Sequence, residues 1–267
     1  MIPERAIVEW GNFVPWIKET MVEQDLIICR ALVAIYSDEF LSSRLAFRGG
    51  TALHKLYLSP QARYSEDIDL VQIQSENIGA IIDKLRKLLA FLGKPTVKQK
   101  KNNNTLIFRV NSTFLPIVPI RLKVEINCKE HFSVLGFVKM PFEVKNQWFN
   151  GSCAITTYHL DELVGTKIRA LYQRKKGRDL FDLQKALEHP DLNTDNVLKC
   201  FDRYISLSDG EPPSKAVFLS NLEEKIQDNI FLNDTQAIIR PALAFNPQTA
   251  FEIVKNELIE KIRRFGV

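Results

Sequence analysis

The sequence predicts an α+β protein in which a mixed β-sheet flanked by helices comes first and a mainly helical domain follows. Three observations support this fold class. Residues 40–155 alternate between β-rich runs and amphipathic helical stretches, residues from Tyr158 onward show helical spacing with few strand signals, and 267 residues suffice for two small domains. We therefore expect a domain boundary near residue 155, with domains at residues 1–155 and 156–267.

The individual elements follow from apolar spacing and from turn residues. The first 45 residues carry apolar residues at helical spacing and predict two helices, with a break near residues 20–25. The elements expected after them are a strand at 45–47, a glycine turn, a helix from about residue 51, a strand within 64–73, a helix at 77–92, strands at 105–110 and 120–127, and helices at 159–174 and 177–189.

Composition favours a cytoplasmic enzyme and argues against membrane and disulfide-rich classes. The first residues mix charged with apolar side chains, unlike a signal peptide, and no stretch approaches the ~20 apolar residues of a membrane span. The four cysteines form no C-x-x-C pair, so we interpret them as reduced thiols that mostly fill the core. We therefore expect no membrane association.

The net charge is only +4, but basic residues concentrate at 94–104 and 167–178. Such clusters suit a polyanion such as RNA, and they are also typical of solvated surface. Charge alone leaves both interpretations open.

The segment YSEDIDLVQI carries the clearest chemical signal. Asp67 and Asp69 alternate with the apolar Ile68 and Leu70, which is the period-2 pattern of a strand, so both carboxylates should lie on one face. Two carboxylates this close repel each other unless a cation neutralises them, which makes sense if they hold Mg²⁺ against triphosphate oxygens. The alternative is that an isolated D-x-D is ordinary solvent-facing polarity.

The residues before the pair strengthen the catalytic interpretation. Gly49, Gly50 and Thr51 stand at a predicted strand-to-helix turn, where glycine lets the backbone approach a ligand and the start of a helix offers N–H groups to phosphate. The hydroxyls of Thr51 and Ser65 add hydrogen-bond donors. Glycine pairs are common in turns, but a glycine turn followed within about twenty residues by S-x-D-x-D is a rarer combination.

A third carboxylate comes from the run LKVEIN. On an adjacent strand, Glu125 could face Asp67 and Asp69 as a further metal ligand, and Lys123 would share its face. An exposed strand with alternating charges is an equally good interpretation, so both remain open.

The basic stretch after residue 160 supplies candidate cationic groups. Lys167 could neutralise charge on the triphosphate as pyrophosphate leaves, and Arg178 could do the same or hold a substrate phosphate. The alternative is a solvated helix face stabilised by pairs such as Lys175 with Asp179 at i and i+4.

The order FRGGTALHK, RYSEDIDL, LKVEI, ELVGTKIRALYQRKKGRDLFDL resembles the AbiEii/MenT family of nucleotidyltransferase toxins, in the DNA polymerase β-like nucleotidyltransferase superfamily. The resemblance runs from about Phe47 to Leu183. It implies a polymerase β-like nucleotidyltransferase domain, followed by a helical domain that contributes to the active site. The chain has GGT where the wider superfamily has GS, a variant that is usual in the toxin family.

The resemblance also implies roles for the residues. The roles are catalysis by Asp67, Asp69, Lys167 and Asp179, nucleotide binding by Gly49, Gly50, Thr51, Ser65 and Arg178, and metal binding by Asp67, Asp69 and Glu125. Asp179 would orient Lys167 or act as base. Mg²⁺ is the expected cofactor, with Mn²⁺ possible, and a nucleoside triphosphate is the expected substrate.

Family members act as toxins in toxin–antitoxin or phage-defence systems, and some resemble enzymes that add nucleotides to the tRNA 3′ end. The expected partners are therefore an RNA acceptor, with phosphates held at residues 98–101 and 174–178, and a cognate antitoxin. The alternatives are a nucleotidyltransferase that acts on a protein or a small molecule, and a non-catalytic nucleotide-binding module.

Overall fold

The computed structural model describes residues 2–100, 102–207 and 212–262. The chain divides into two compact units. The first comprises residues 1–133 and 137–158, and the second comprises residues 134–136 and 159–267. The chain therefore passes from the first unit into the second after Tyr158. The boundary expected from the sequence was near residue 155.

The first unit is built on one mixed, seven-stranded sheet with the order β3-β4-β5-β2-β1-β7-β6. Its strands are β1 (Leu45–Arg48), β2 (Asp67–Gln72), β3 (Thr96–Lys100), β4 (Asn103–Asn111), β5 (Pro119–Asn127), β6 (Phe137–Lys145) and β7 (Asn150–Tyr158). β2 pairs with β5 and β1 with β7 in parallel, and the other neighbours are antiparallel. The predicted mixed sheet is confirmed.

The two faces of this sheet differ, as β5 illustrates. Its apolar residues, from Ile120 to Ile126, are buried on one face. Arg121, Lys123 and Glu125 alternate with them and are exposed or half-buried on the other face. We call this second face of β2, β3, β4 and β5 the open face, because it carries the polar residues of these strands.

Helices accompany the sheet of the first unit. They are α1 (Glu4–Gly11), α2 (Glu19–Tyr36), α3 (Glu39–Ser42), α4 (Gly49–Ala52) and α5 (Gly79–Leu88), with a π-helical turn at Leu53–Tyr57 and a 3-10 turn at Ala90–Leu92. The helix predicted at 77–92 is confirmed with narrower bounds. α2 is buried along most of its length and packs against α1, β5, β6 and β7.

The predicted helix break near residues 20–25 is wrong. α2 runs from Glu19 to Tyr36, and the chain leaves helical geometry earlier, at residues 12–18 around Pro15. The polar side chains of this stretch are paired inside the unit. Asp25, fully buried, accepts hydrogen bonds from Trp10 Nε1 at 3.0 Å and from Lys55 Nζ at 2.9 Å, so its charge is satisfied by residues outside α2.

The second unit is helical in its described residues, as the sequence predicted. Its helices are α6 (Leu160–Gln173), α7 (Gly177–Leu187), α8 (Thr194–Ser206), α9 (Lys215–Ile226), α10 (Asn229–Asn233) and α11 (Pro247–Glu257), with a 3-10 turn at Ile259–Lys261. Asn193, Ser214, Asp228 and Asn246 cap helix N-termini through side-chain oxygens.

Two further expectations concern the whole chain. Across the described ranges, no helix combines the length and the apolar character needed to cross a membrane. The four cysteines are free thiols, and Cys29 and Cys200 are buried.

Candidate active site

Asp67 and Asp69 lie on one face of β2, as the alternating pattern predicted. The parallel register aligns Asp67 with Lys123 and Asp69 with Glu125 on β5, and the antiparallel register aligns Asp69 with Arg48 on β1. Residues directly opposite each other on neighbouring strands point to the same face. The sheet therefore brings together the three carboxylates that the sequence singled out.

A lysine lies among these carboxylates. Lys123 Nζ is 3.2 Å from Asp67 Oδ2 and 2.7 Å from Glu125 Oε1, and its side chain is 25% exposed. Burial raises the pKa of Asp67 to about 6 against the attraction of Lys123, and the charge of Asp69 adds to the rise. The carboxyl group of Asp67 is therefore less readily ionised than usual despite its contact with Lys123, and a cation bound beside it would favour its ionised form.

The glycine turn packs directly against the pair. Gly49 has φ +78°, a left-handed conformation that favours glycine, and a Cβ atom at this position would overlap the carboxylate of Asp69. Gly50 is the second residue of α4. The conformation and the absent side chain of Gly49 thus let the backbone approach the carboxylate face closely.

The predicted hydroxyl groups have partners within the protein. Thr51 Oγ1 donates to the backbone oxygen of Asp67 at 2.6 Å, and Ser65 Oγ accepts from Arg63 Nη1 at 2.8 Å. Thr51, Ser65 and Arg63 are buried. Thr51 therefore fixes the position of β2, and the predicted contact of both hydroxyls with nucleotide stays a prediction.

The pair fits a hard divalent cation. Two carboxylates on one face are suitable ligands for Mg²⁺, which usually takes its other ligands from water and phosphate oxygens. In the described part of the chain, no group of three or more His, Cys, Asp or Glu residues is arranged to hold a metal ion. Lys123 lies between Asp67 and Glu125. A third-ligand role for Glu125 therefore stays a prediction.

Lys167 and Asp179 belong to a buried ionic network in the second unit. Lys167 Nζ is 3.1 Å from Asp179 Oδ1 and 2.8 Å from Asp182 Oδ2. Arg174 binds both carboxylate oxygens of Asp179 at 2.6 and 2.7 Å. Burial alone would raise the pKa of Asp179, but Lys167 and Arg174 hold it below its ordinary value.

The alternative interpretation of this stretch included a pairing of Lys175 with Asp179, which is not observed. Lys175 pairs with Asp228, and Asp179 faces the other way along its helix, toward Lys167 and Arg174. The reason is that residues 174–176 are not helical and separate α6 from α7. The i,i+4 geometry of one continuous helix therefore does not apply to Lys175 and Asp179.

Arg178 lies at the start of α7 and is held by an acidic partner. Its Nε and Nη2 bind the two carboxylate oxygens of Asp234 at 2.9 and 3.0 Å, and its backbone N–H donates to the same side chain. This forked contact ties α7 to the segment after α10. The predicted contact of Arg178 with nucleotide stays a prediction. It would require Arg178 either to keep its contact with Asp234 while it binds a phosphate or to release Asp234.

Sequence reasoning missed three residues that shape these sites. Lys123 was recognised only as a neighbour of Glu125, because its contact with Asp67 depends on the β2–β5 register. Asp182 follows Asp179 by three residues, a helical spacing that could have revealed a second partner for Lys167. Gln24 donates to the backbone oxygens of residues 66 and 121 at the start of β2 and within β5, and no sequence signal indicates this.

Comparisons with known proteins identify a family and a fold. The sequence model of the family described as "Nucleotidyl transferase AbiEii toxin, Type IV TA system" matches residues 30–257. No curated protein matches the chain.

Several solved structures are similar to this one. MenT4, the nucleotidyltransferase toxin Rv2826c from Mycobacterium tuberculosis H37Rv, has 16% identity and a TM-score of 0.54 over 97% of this chain and 99% of that chain. JHP933 from Helicobacter pylori has 16% identity and a TM-score of 0.53 over 92% and 94%. A putative nucleotidyltransferase from H. pylori has 16% identity and a TM-score of 0.51 over 93% and 100%. At these identities the likeness shows the fold, which is α+β and polymerase β-like.

Proposed function

Because the chain belongs to the AbiEii family of nucleotidyl transferase toxins of type IV toxin–antitoxin systems, we propose that it transfers a nucleoside monophosphate from a nucleoside triphosphate to RNA. The 3′ end of tRNA is the first candidate acceptor. The observation that carries this proposal is the placement of Asp67 and Asp69 on one open sheet face, beside a glycine turn that packs against Asp69.

The reaction exchanges one phosphorus–oxygen bond for another. An acceptor hydroxyl oxygen attacks the α-phosphorus, a new P–O bond forms, the bond to pyrophosphate breaks, and the hydroxyl proton is released to water. A bound Mg²⁺ would neutralise charge on the triphosphate and align the attacking and leaving oxygens. Asp67 and Asp69 would hold this cation, which would favour the ionised form of Asp67, whose pKa burial raises.

The residues around the pair would keep it in position. Thr51 anchors the backbone at Asp67, and Gly49 leaves room for the carboxylate of Asp69. Rigid placement of this kind matters because phosphoryl and nucleotidyl transfer depend mostly on positioning and charge stabilisation. Glu125, on the same face, is the candidate third ligand.

We assign Lys167 and Arg178 to stabilise negative charge on the departing pyrophosphate, and Asp179 to orient Lys167. The Lys167–Asp179 contact of 3.1 Å supports the orienting role. A buried lysine held by two carboxylates is also a stable structural element, so its part in catalysis needs a test of activity that is separate from a test of folding.

Because the family belongs to toxin–antitoxin systems, we propose that a cognate antitoxin counteracts this enzyme. In this proposal the enzyme acts in the cytoplasm, where it inhibits growth or serves in phage defence. A protein or small-molecule acceptor is the alternative within the same chemistry. A non-catalytic nucleotide-binding module is the other alternative, and the retention of both carboxylates beside the glycine turn favours catalysis over it.

The direct test is nucleotidyl transfer by the purified chain. Each of the α-³²P-labelled nucleoside triphosphates is incubated with Mg²⁺ or Mn²⁺ and total tRNA, and label is followed into RNA and into protein. We expect transfer of one or more nucleotides to RNA, and a fall of about 10³-fold or more in Asp69→Asn. Label in protein alone would show that the acceptor is a protein and not RNA. The absence of metal-dependent transfer to any acceptor would refute the proposed function.

A further inference from the structure

The open face extends from the catalytic carboxylates to the edge of the sheet. In register, Asp69 lies opposite Glu125, Glu125 opposite Thr105 on β4, and Thr105 opposite Lys98 on β3. These side chains point to the same face. Neighbouring strands are about 4.8 Å apart, so Lys98 lies about 14 Å across the sheet from Asp69.

A second row follows the same direction. Lys100 lies opposite Asn103, which in turn lies opposite Asn127 on β5. Lys98 and Lys100 are exposed, and the third lysine of this run, Lys101, lies outside the described residues. The sequence left RNA contact and solvated surface open for this basic run, and the structure places its residues 96–100 in an edge strand whose Lys98 and Lys100 share the face of Asp67 and Asp69.

Two arginines add to this surface. Arg109 on β4 lies directly opposite Arg121 on β5, and both are exposed. Like charges directly opposite each other in a sheet are destabilising. Neither arginine has a carboxylate partner within salt-bridge distance in the part of the chain that the structure describes. An arrangement that costs stability without an internal partner indicates an external anion.

The face is otherwise polar and accessible. Along β3, β4 and β5 its side chains are exposed or half-buried, apart from Ile107, which is buried. Lys98 and Lys100 likewise lack acidic partners in the described ranges. By contrast, Lys175, Lys176 and Arg178 of the other basic run each contact a carboxylate.

We propose that the open face of β5, β4 and β3 binds the backbone of a single-stranded RNA segment, whose end is thereby delivered to Asp67 and Asp69. Lys98, Lys100, Arg109 and Arg121 are the phosphate contacts. The proposal rests on the proposed function, because it names where the acceptor lies on the same site. Cations spaced along one face suit a repeating anion and confer affinity with little sequence preference.

The test measures RNA binding without turnover, in the Asp69→Asn background. A short fluorescein-labelled single-stranded RNA is titrated by anisotropy over about 50–200 mM salt. Two pairs of substitutions are compared, namely Lys98→Gln with Lys100→Gln, and Arg109→Gln with Arg121→Gln. The matched control is Lys87→Gln with Lys199→Gln, which removes the same charge from exposed positions on α5 and α8.

We expect each pair on the open face to weaken RNA binding about tenfold and to reduce the salt slope by about 0.7 per lost phosphate contact, whereas the control pair changes neither. Binding of a triphosphate analogue, measured with Asp69 intact, should be unchanged by each pair of substitutions. Equal losses in the control, unchanged RNA binding in both open-face pairs, or no RNA binding by the parent would overturn the proposal.

Failure of this surface and failure of the proposed function are distinguishable. If the open-face variants bind RNA normally while the parent chain with Asp69 intact still transfers nucleotide, the surface is wrong and the function stands. If the open-face substitutions abolish binding of an acidic protein but not of RNA, the surface serves another partner and this proposal is refuted.

Discussion

Two lysines in this protein each lie between two carboxylates, yet their surroundings differ. Lys123 joins Asp67 to a glutamate on its own strand, on an open face where the lysine is 25% exposed. Lys167 joins Asp179 to a second aspartate of α7, and these side chains are buried. Both clusters looked in sequence like parts of one active site, but the structure gives them different electrostatic states.

The pKa values of their aspartates differ in direction. Burial raises the pKa of Asp67 to about 6, so the attraction of the nearby Lys123 ammonium does not offset the cost of burying this carboxylate. The pKa of Asp179 lies below its ordinary value despite burial, because Lys167 and Arg174 both contact it. The first cluster is therefore suited to attract a cation, and the second is already neutralised within the fold.

The largest difference should appear when each lysine is removed. Lys167→Met leaves two buried aspartates with less compensation, and we expect the free energy of unfolding to fall by about 3–5 kcal/mol. Lys123→Met, at a half-exposed position, should change it by about 1 kcal/mol or less. Chemical denaturation of both variants measures this, and equal losses would contradict the distinction between the clusters.

The second prediction concerns the glycine turn at the acidic cluster. Gly49→Ala forces a side chain into a left-handed position and against Asp69, so we expect lost nucleotidyl transfer and a stability loss of about 1–2 kcal/mol or more. Gly93 has φ +82° with no atom within 4 Å of a Cβ placed there, so Gly93→Ala is a control that introduces a side chain at a similarly positive φ without a contact. If transfer falls equally in both variants, contact with Asp69 is not the cause.

The third prediction uses the raised pKa of Asp67. The folded-state pKa of about 6 exceeds the ordinary value of 3.8, so the folded state binds more protons between these values and stability falls as pH rises through them. Without divalent metal, Asp67→Asn should therefore stabilise the fold at pH 7–8 by about 1–3 kcal/mol. The gain should vanish by about pH 4. Thermal unfolding across pH tests this, and a destabilised variant at neutral pH would contradict it.

The smallest expected effect concerns Arg178. If its main role is to hold Asp234, Arg178→Gln and Asp234→Asn should each destabilise the second unit, with a coupling energy of about 1 kcal/mol in a double-mutant cycle. Because we assign Arg178 to the triphosphate as well, we expect Arg178→Gln, and not Asp234→Asn, to raise the KM for nucleotide. Equal KM values in both single variants would leave the arginine a purely structural role.

The sequence predicted those features that depend on local alternation. Asp67 and Asp69 were placed on one face by period 2 alone, and the strand at 45–47 and the helix at 77–92 follow from apolar spacing and turn residues. Each of these patterns is complete within a few residues, so no distant contact was needed to interpret it.

Features that depend on distant pairing were missed. β3 reads as a basic run because as an edge strand it has no buried residue to reveal its alternation. Lys123 contacts Asp67 only because β2 and β5 pair in parallel register. In the same way, α2 can continue through its polar residues because Asp25 is buried against Lys55. These contacts join residues that are far apart in sequence.

The central claim is that Asp67 and Asp69 form the cation–triphosphate site. The most direct measurement is Mn²⁺ binding, followed by electron paramagnetic resonance with a non-hydrolysable triphosphate present. We expect Asp69→Asn to bind Mn²⁺ about tenfold or more weakly than the parent, and Glu143→Gln, an exposed carboxylate change on β6, to bind it normally. Equal Mn²⁺ affinity in Asp69→Asn and the parent chain would contradict the claim.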